Sequence, residues 1–262
     1  MSLTIVVLTS NNQDVLQGCL DSIKSLGKIL IIDDYSTDKT LAIAKKYQTQ
    51  IFTNKLTTFA KQRIFAIKKA DTDWVFFLDS DERLNSHLRK EIKLAIKDSP
   101  HSAFQLKRLN YFFGKPIKHG GYWPDWQVRL FKIKDFKNFS GAVHETPHYN
   151  GSLGELNNHL THFTHKNLIE GLKKSINWTA LEADDFINSN HPPVRWWHLL
   201  KVFFKEFFFR YFQKKGLLDG YVGFVESLIQ AINRFFVYQQ IWEKQQSPTI
   251  VEKYQLLDKK IQ

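Results

Sequence analysis

The sequence holds a single cysteine, Cys19, in 262 residues, so no internal disulfide can form. That fits a reducing compartment. Cys19 shares a helical face with Leu16 and Ile23, where a small apolar residue is expected to be buried rather than reactive. No uncharged apolar run reaches the roughly 18 residues a simple membrane-spanning helix needs. The first nine residues are apolar but carry no basic leader, and polar residues follow at once, so no secretion signal is expected. Internal repeats and low-complexity tracts are also missing. No glycine-rich phosphate loop follows the first apolar run. Thr9-Ser10-Asn11-Asn12 stands there instead, which argues against a dinucleotide oxidoreductase.

What the chain does have is positive charge and aromatic side chains. The formal net charge is +11, and there are 22 Phe and 7 Trp. That aromatic content excludes disorder, and 43% apolar residues supply a sizeable core. A strongly basic chain meets nucleic acid, an anionic membrane or a phosphorylated substrate.

The first hundred residues alternate short apolar runs with helical patterns. LTIVVLT (3–9), KILIIDD (28–34), residues 50–54 and WVFFL (74–78) read as strands. Helices are expected after each, one of them N-capped by Ser36 and running to Tyr47, another from about Ser86 to Lys97. Strands alternating with helices make βαβ units and a parallel sheet covered on both faces. The expected class is therefore α/β, a sheet flanked by helices. In such sheets ligands bind beyond the carboxyl ends of the strands. The polar tips at 9–11, 33–34 and 79–82 are thus expected on one edge. AFQLKRL (103–109) and WQVRLFKI (126–133) read as further strands, separated by a Gly-, Pro- and aromatic-rich loop. From about Leu168 the pattern is helical, broken at His191-Pro192-Pro193, which places a boundary between residues 1–190 and 191–262.

The sharpest chemical feature is Asp79-Ser80-Asp81. Two carboxylates at a bend after a buried strand can hold Mg²⁺ or Mn²⁺, which grips a diphosphate; the alternative is that they cap the next helix. Asp33 and Asp34 can accept from a ribose hydroxyl or a uracil N–H, or merely build a turn, since DDYSTD is rich in turn formers. His119 to Asp125 is expected to lie over an acceptor, its aromatic rings stacking on sugar faces. Arg129 and Lys132 are candidates for meeting phosphate, or are solvated strand charges.

TIVVLTSNNQDVLQGCLDSI, ILIIDDYSTDKT and DWVFFLDSDERL, in this order, resemble the nucleotide-binding half of the inverting glycosyltransferase family 2, which has the GT-A fold. NYFFGKPIKHGGYWPDWQVRLFK, VHE, LTHFTHKNL and LDGYVGF extend the resemblance to the branch that contains lipopolysaccharide-core β-1,4-glucosyltransferases, over about residues 3–243. The resemblance implies that Thr9, Asn11, Asp33 and Asp34 contact the nucleoside of a UDP-sugar donor, with Asp79 and Ser80 beside the diphosphate. Asp79 and Asp81 hold the metal, Asp81 more firmly, and His162 completes the site, with His165 a near alternative. Glu145 is the catalytic base, preceded by His144 where the family usually has an acid. Asp125 is the competing candidate for the base.

Residues 195–215, RWWHLLKVFFKEFFFRYFQKK, complete the picture. On a helix Trp197, Leu200, Phe204, Phe207, Phe208 and Tyr211 share one face, and Arg195, His198, Lys201, Lys205 and Arg210 fall opposite. That describes a helix lying in an anionic membrane interface, or one packing its apolar face on the catalytic domain. The expected activity is transfer of a hexose, glucose from UDP-glucose, to a lipid-linked saccharide such as the lipopolysaccharide inner core. It is expected to occur on the cytoplasmic face of the membrane. A polyprenyl-phosphate acceptor is the alternative. A non-catalytic nucleic-acid binder is disfavoured, because acids at the strand ends repel phosphate.

Overall fold

The computed structural model describes residues 1–140, 146–165 and 167–261. Strand β1 (Leu3–Thr9) is buried along its whole length, as a strand without a polar face must be. It lies between β2 (Lys28–Asp33) and β4 (Trp74–Asp79), both parallel to it, with β3 (Thr49–Thr53) parallel beyond β2. Helices α1 (Leu16–Ile23), α2 (Thr40–Ala44) and α3 (Phe59–Lys69) make the crossovers. Side chains alternate across the strands. Ile5, Val7, Ile31, Phe76 and Leu78 pack on one face with Leu16, Leu20 and Ile23 of α1. Val6, Leu8, Ile32, Val75 and Phe77 pack on the other with Ala60 and Ala66 of α3.

The chain continues through β5 (Glu82–Arg83), α4 (Ser86–Ala95), β6 (Ala103–Phe112), β7 (Lys115–Pro116), β8 (Asp125–Lys132), β9 (Phe136–Ser140), β10 (Thr146–Tyr149) and β11 (Leu153–His165). The main sheet runs in the order β3-β2-β1-β4-β8-β6-β11-β5, and β9 and β10 form a separate antiparallel pair. Antiparallel β8 and β6 thus extend the sheet beyond β4. The result is a mixed sheet flanked by helices, the expected α/β class.

One local expectation is corrected. The helix after β2 begins at Thr40, and Ser36 is not its N-cap. The Ser36 hydroxyl is engaged in the preceding turn, where it bonds the Asp33 carboxylate.

The helices that follow are α5 (Leu168–Asn188), α6 (Trp196–Phe208), α7 (Gly220–Lys244) and α8 (Ile250–Ile261). Among the described residues no helix is long and apolar enough to cross a membrane. The chain divides into two compact units, residues 1–111 with 123–164, and residues 112–122 with 165–262. The division differs from the expected boundary after residue 190 for two reasons. The small residues Gly171, Ser175, Thr179 and Ala183 form the buried stripe of α5, and α5 is bonded to α7 by Arg234–Glu182 and Lys244–Asp184, each at 2.7 Å. Segment 112–122 belongs to the same unit, and its Phe112 and Ile117 are buried with Val222 of α7. Asp219 accepts from the backbone N–H groups of Lys118 and His119, and the Tyr122 hydroxyl donates to Glu226.

Candidate active site

Register brings the strand tips together. Thr9 stands opposite Asp33, and Leu8 opposite Asp79. The loops after β1 and β2 are latched side by side: Asn11 N–H donates to Ser36 Oγ (2.8 Å), the Asn11 side-chain Oδ1 accepts from Thr37 N–H (2.8 Å), and Asn12 N–H donates to Thr40 Oγ1 (2.8 Å). Asn11 takes a left-handed backbone, φ 50°, which asparagine tolerates better than most residues. Asp33 is fully buried, and its two oxygens accept from the N–H and hydroxyl of Ser36. The Asp34 carboxylate accepts from Leu56 N–H at 3.0 Å. These two acids therefore shape the loops at the strand edge, which leaves the turn reading of DDYSTD well represented in the geometry. Ser80 is buried in the bend after β4, and its carbonyl accepts from Arg83.

At the end of β4 the carboxylates separate into two environments. Asp79 Oδ2 accepts from Arg129 at 2.8 Å, and Arg63 stands 3.8 Å from Oδ1. Burial works against the Asp79 charge, but Arg129 and Arg63 outweigh it and hold the carboxyl well below the usual aspartate range. Arg129 also donates to the buried Glu82 at 2.7 Å, and Glu82 accepts from Asp79 N–H at 2.9 Å. Burial pushes the Glu82 carboxyl up, with Arg129 opposing. Arg129 is only 2% exposed. Neither sequence reading of Arg129 therefore holds: it is a buried ion-pair centre that fixes the bend. Lys132 lies over the Trp74 ring.

Asp81 faces the other way. Its carboxylate lies 3.5 Å from His162 Nε2, and its backbone carbonyl accepts from Phe163 N–H. The orientation of His162 follows from a chain of forced choices. Asp125 accepts from Arg108 Nε (2.7 Å), Gln127 (2.7 Å) and Asn110 Nδ2 (3.1 Å). Burial opposes its charge, and Arg108 with these bonds prevails, so the Asp125 carboxyl sits below its ordinary value and carries no proton to give. Asn110 must then present its N–H₂ group to Asp125 and its carbonyl oxygen to His162 Nδ1, 2.7 Å away. Nδ1 must therefore carry the hydrogen, and in the neutral ring the Nε2 lone pair is turned towards Asp81.

A lone pair and a carboxylate that converge invite a cation between them. Among the described residues no three His, Cys, Asp or Glu side chains group closely enough to hold a metal by themselves. Asp81 and His162 supply an oxygen and a nitrogen donor, a set that suits Mn²⁺ or Mg²⁺ when phosphate oxygens complete it. Asp79, bonded to Arg129, is the less available of the two aspartates.

Glu145 and His144 lie outside the described residues, as does the side chain of His165. The segment expected over an acceptor is shared between the two units: His119 to Tyr122 lies in one, and Trp123 to Asp125 in the other. Arg63, Arg108 and Asn110 escaped the sequence reading, and Glu82 entered it only as part of the polar tip after β4. A signal existed for some of them. Asp125, Gln127 and Arg129 recur at period two on β8, and Arg108 and Asn110 do so on β6, so two strands carry polar residues on one face. The buried Cys19 is confirmed as a core residue, its thiol pushed far up by burial.

The sequence model described as "Glycosyl transferase family 2" matches residues 4–160. An uncharacterized glycosyltransferase of Rickettsia bellii is 24% identical, over 87% of this chain and 82% of that protein. The lipopolysaccharide core biosynthesis glycosyltransferase LpsC of Rhizobium meliloti is 25% identical over 93% of each. The crystal structure of Staphylococcus aureus TarS 1–349 in complex with UDP-GlcNAc aligns with TM-score 0.47 and 16% identity, covering 93% of this chain and 82% of that one.

Proposed function

The chain belongs to glycosyl transferase family 2, and from that premise we propose that it moves a hexose, glucose from UDP-glucose, onto a lipid-linked saccharide. The acceptor is of the kind found in the lipopolysaccharide inner core, and the reaction takes place on the inner face of the cytoplasmic membrane. The end-to-end similarity to LpsC supports this acceptor class. The observation that carries the reading is the convergence of Asp81 and His162 beyond the carboxyl ends of the parallel strands, beside an Asp79 pinned by Arg129.

A sugar hydroxyl is a poor nucleophile at neutral pH and needs a base to take its proton as it attacks the anomeric carbon from the side opposite the diphosphate. Asp125 is poorly suited to that task. Three donors occupy it, and its lowered proton affinity weakens it as a base. Glu145 is the base in this reading. Asn11 and Asp34 line the strand edge where the nucleoside binds in this reading, and the buried Thr9 and Asp33 hold the loops behind them. Asp81 and His162 would hold a divalent cation. When bound, that cation offsets the charge gathering on the departing diphosphate. The functional test is a donor screen. Purified protein with Mn²⁺ or Mg²⁺ is expected to hydrolyse one UDP-sugar slowly in the absence of acceptor, and Glu145→Gln to keep donor affinity while turnover falls about 10²-fold or more. Turnover within a few-fold of wild type would return the base to Asp125, and inertness towards every nucleotide sugar would remove the reading.

Asn110 gives a second handle. Asn110→Leu keeps the size but deprives His162 Nδ1–H of its acceptor. The neutral ring is then expected to shift towards the Nε2–H tautomer, read from imidazole ¹⁵N shifts in the metal-free protein, and Mn²⁺ affinity to fall about 10- to 100-fold. Unchanged shifts and unchanged affinity would show that Asn110 does not orient the ring.

A further inference from the structure

We propose that the outer face of α6, with the turn that follows it, is a docking surface for an anionic lipid bilayer, on which the helix rests without spanning. The observation behind this is an inversion. At 100° per residue, Trp196, Leu200, Phe204, Trp197 and Phe208 fall within an arc of about 120°, and all five are exposed, by 42–68%. The opposite side carries His198, Leu199, Val202, Phe203 and Glu206, and each of these is partly buried. A helix that packs on a soluble body does the reverse, burying its aromatic side and leaving its mixed side wet. No residue of α6 is buried. The apolar strip continues beyond the helix through the exposed Phe212, Leu217, Leu218 and Tyr221. Of the expected apolar face, Phe207 and Tyr211 turn inward onto Phe224 of α7, while Trp197, Leu200, Phe204 and Phe208 remain exposed.

Charge decides what covers this strip. Residues 195–215 hold six Lys and Arg against one acid, Glu206, and Glu206 is itself bonded to Arg210 at 2.6 Å. Lys201 and Lys205 are exposed along one edge of the strip. A second copy of the chain would set two such basic rims against each other. An anionic headgroup layer complements them, while the Trp, Phe and Leu side chains suit the boundary between headgroups and acyl chains.

The docking segment is also bonded to the loop expected to meet the acceptor. Asp219, between Leu218 and Tyr221, accepts from Lys118 N–H (3.1 Å) and His119 N–H (2.7 Å) and contacts His119 Nδ1 (2.9 Å). Arg210 donates to the Gly120 carbonyl at 3.0 Å, and Gly120 N–H donates to that of Lys214 at 2.8 Å. Docking therefore sets the height of residues 118–120 above the lipid. The proposal stands independently of the sugar-transfer reading.

The test is co-sedimentation of the full chain with vesicles of equimolar phosphatidylglycerol and phosphatidylcholine, and with vesicles of phosphatidylcholine alone. Binding is expected to be about tenfold or more tighter to the anionic vesicles. The double variant Leu200→Glu/Phe204→Glu, at exposed positions, is expected to lose about tenfold or more of that binding with its melting temperature unchanged. Lys201→Glu/Lys205→Glu is expected to lose the anionic preference. Donor hydrolysis in vesicle-free buffer serves as a control that both variants leave unchanged. The proposal is overturned by a wild-type protein that ignores both vesicles, or by a folded Leu200→Glu/Phe204→Glu variant that sediments like wild type. It is also overturned by a dimer in ultracentrifugation that this variant dissolves while no vesicle binding is seen, which would assign the face to a second copy.

Discussion

Asp81→Ala is expected to lower transfer about 10³-fold, the scale on which a fixed group that stabilises transition-state charge acts, while the melting temperature stays close to wild type. The structure separates the two effects. The Asp81 side chain meets His162 only at 3.5 Å, whereas the bend is anchored through the Asp81 backbone carbonyl and Phe163 N–H, which alanine retains. The buried ion pairs of the bend belong to Asp79, Glu82 and Arg129 and do not pass through Asp81. The same variant is expected to bind Mn²⁺ more weakly by paramagnetic resonance. A variant that transfers within tenfold of wild type would show that the reaction does not need this carboxylate. One that is inactive because it has unfolded would place Asp81 in the scaffold instead.

Arg129→Met carries the largest expected effect on stability. The buried Arg129 bridges two carboxylates, the buried Glu82 and the half-buried Asp79, and methionine fills similar volume without charge. Its removal leaves Glu82 and Asp79 with only the more distant Arg108 (3.6 Å) and Arg63 (3.8 Å), and breaking such a buried cluster costs about 3–5 kcal/mol. The pH dependence follows from the same contacts. In the wild type the Asp79 carboxyl is held below its ordinary value, so its contribution is present above the usual aspartate range and is lost as pH falls through the lowered folded value. Without Arg129, burial raises Asp79 and Glu82 together, and the variant regains stability as they protonate. Denaturant titrations should therefore show a wide gap between wild type and variant at neutral pH that narrows below about pH 4. A gap under about 1 kcal/mol at neutral pH, or one that does not change with pH, would mean that the pair is solvated or otherwise compensated.

These two variants mark the divide between the legible and the illegible parts of the site. Asp79 and Asp81 were both visible as acids after WVFFL, yet the sequence could not distinguish an aspartate held by arginine from one facing a histidine. That difference depends on Arg129, fifty positions along the chain from Asp79, and on which strand lies beside β4. Asp125 was a candidate for the base because it is an acid in a loop-like stretch. Its three donors come from β6 and β8, and only the pairing of Arg108 with Asp125 across those strands reveals that it is saturated.

By itself the sequence determined the parallel half of the sheet and the edge on which its polar tips open. A central strand covered on both faces must be apolar at every position, so it appears as an unbroken run whose end is marked by the first acid. It also determined that an aromatic helix with basic residues lies within residues 195–215, where α6 spans Trp196–Phe208, because periodicity is a local property. Tertiary structure alone decided which aspartate is pinned, which nitrogen of His162 carries the hydrogen, and that Trp196, Trp197, Leu200, Phe204 and Phe208 of α6 face outward while Phe207 packs on α7. Each of these depends on partners distant in sequence, and helical or strand periodicity defines a face without defining the direction in which it looks.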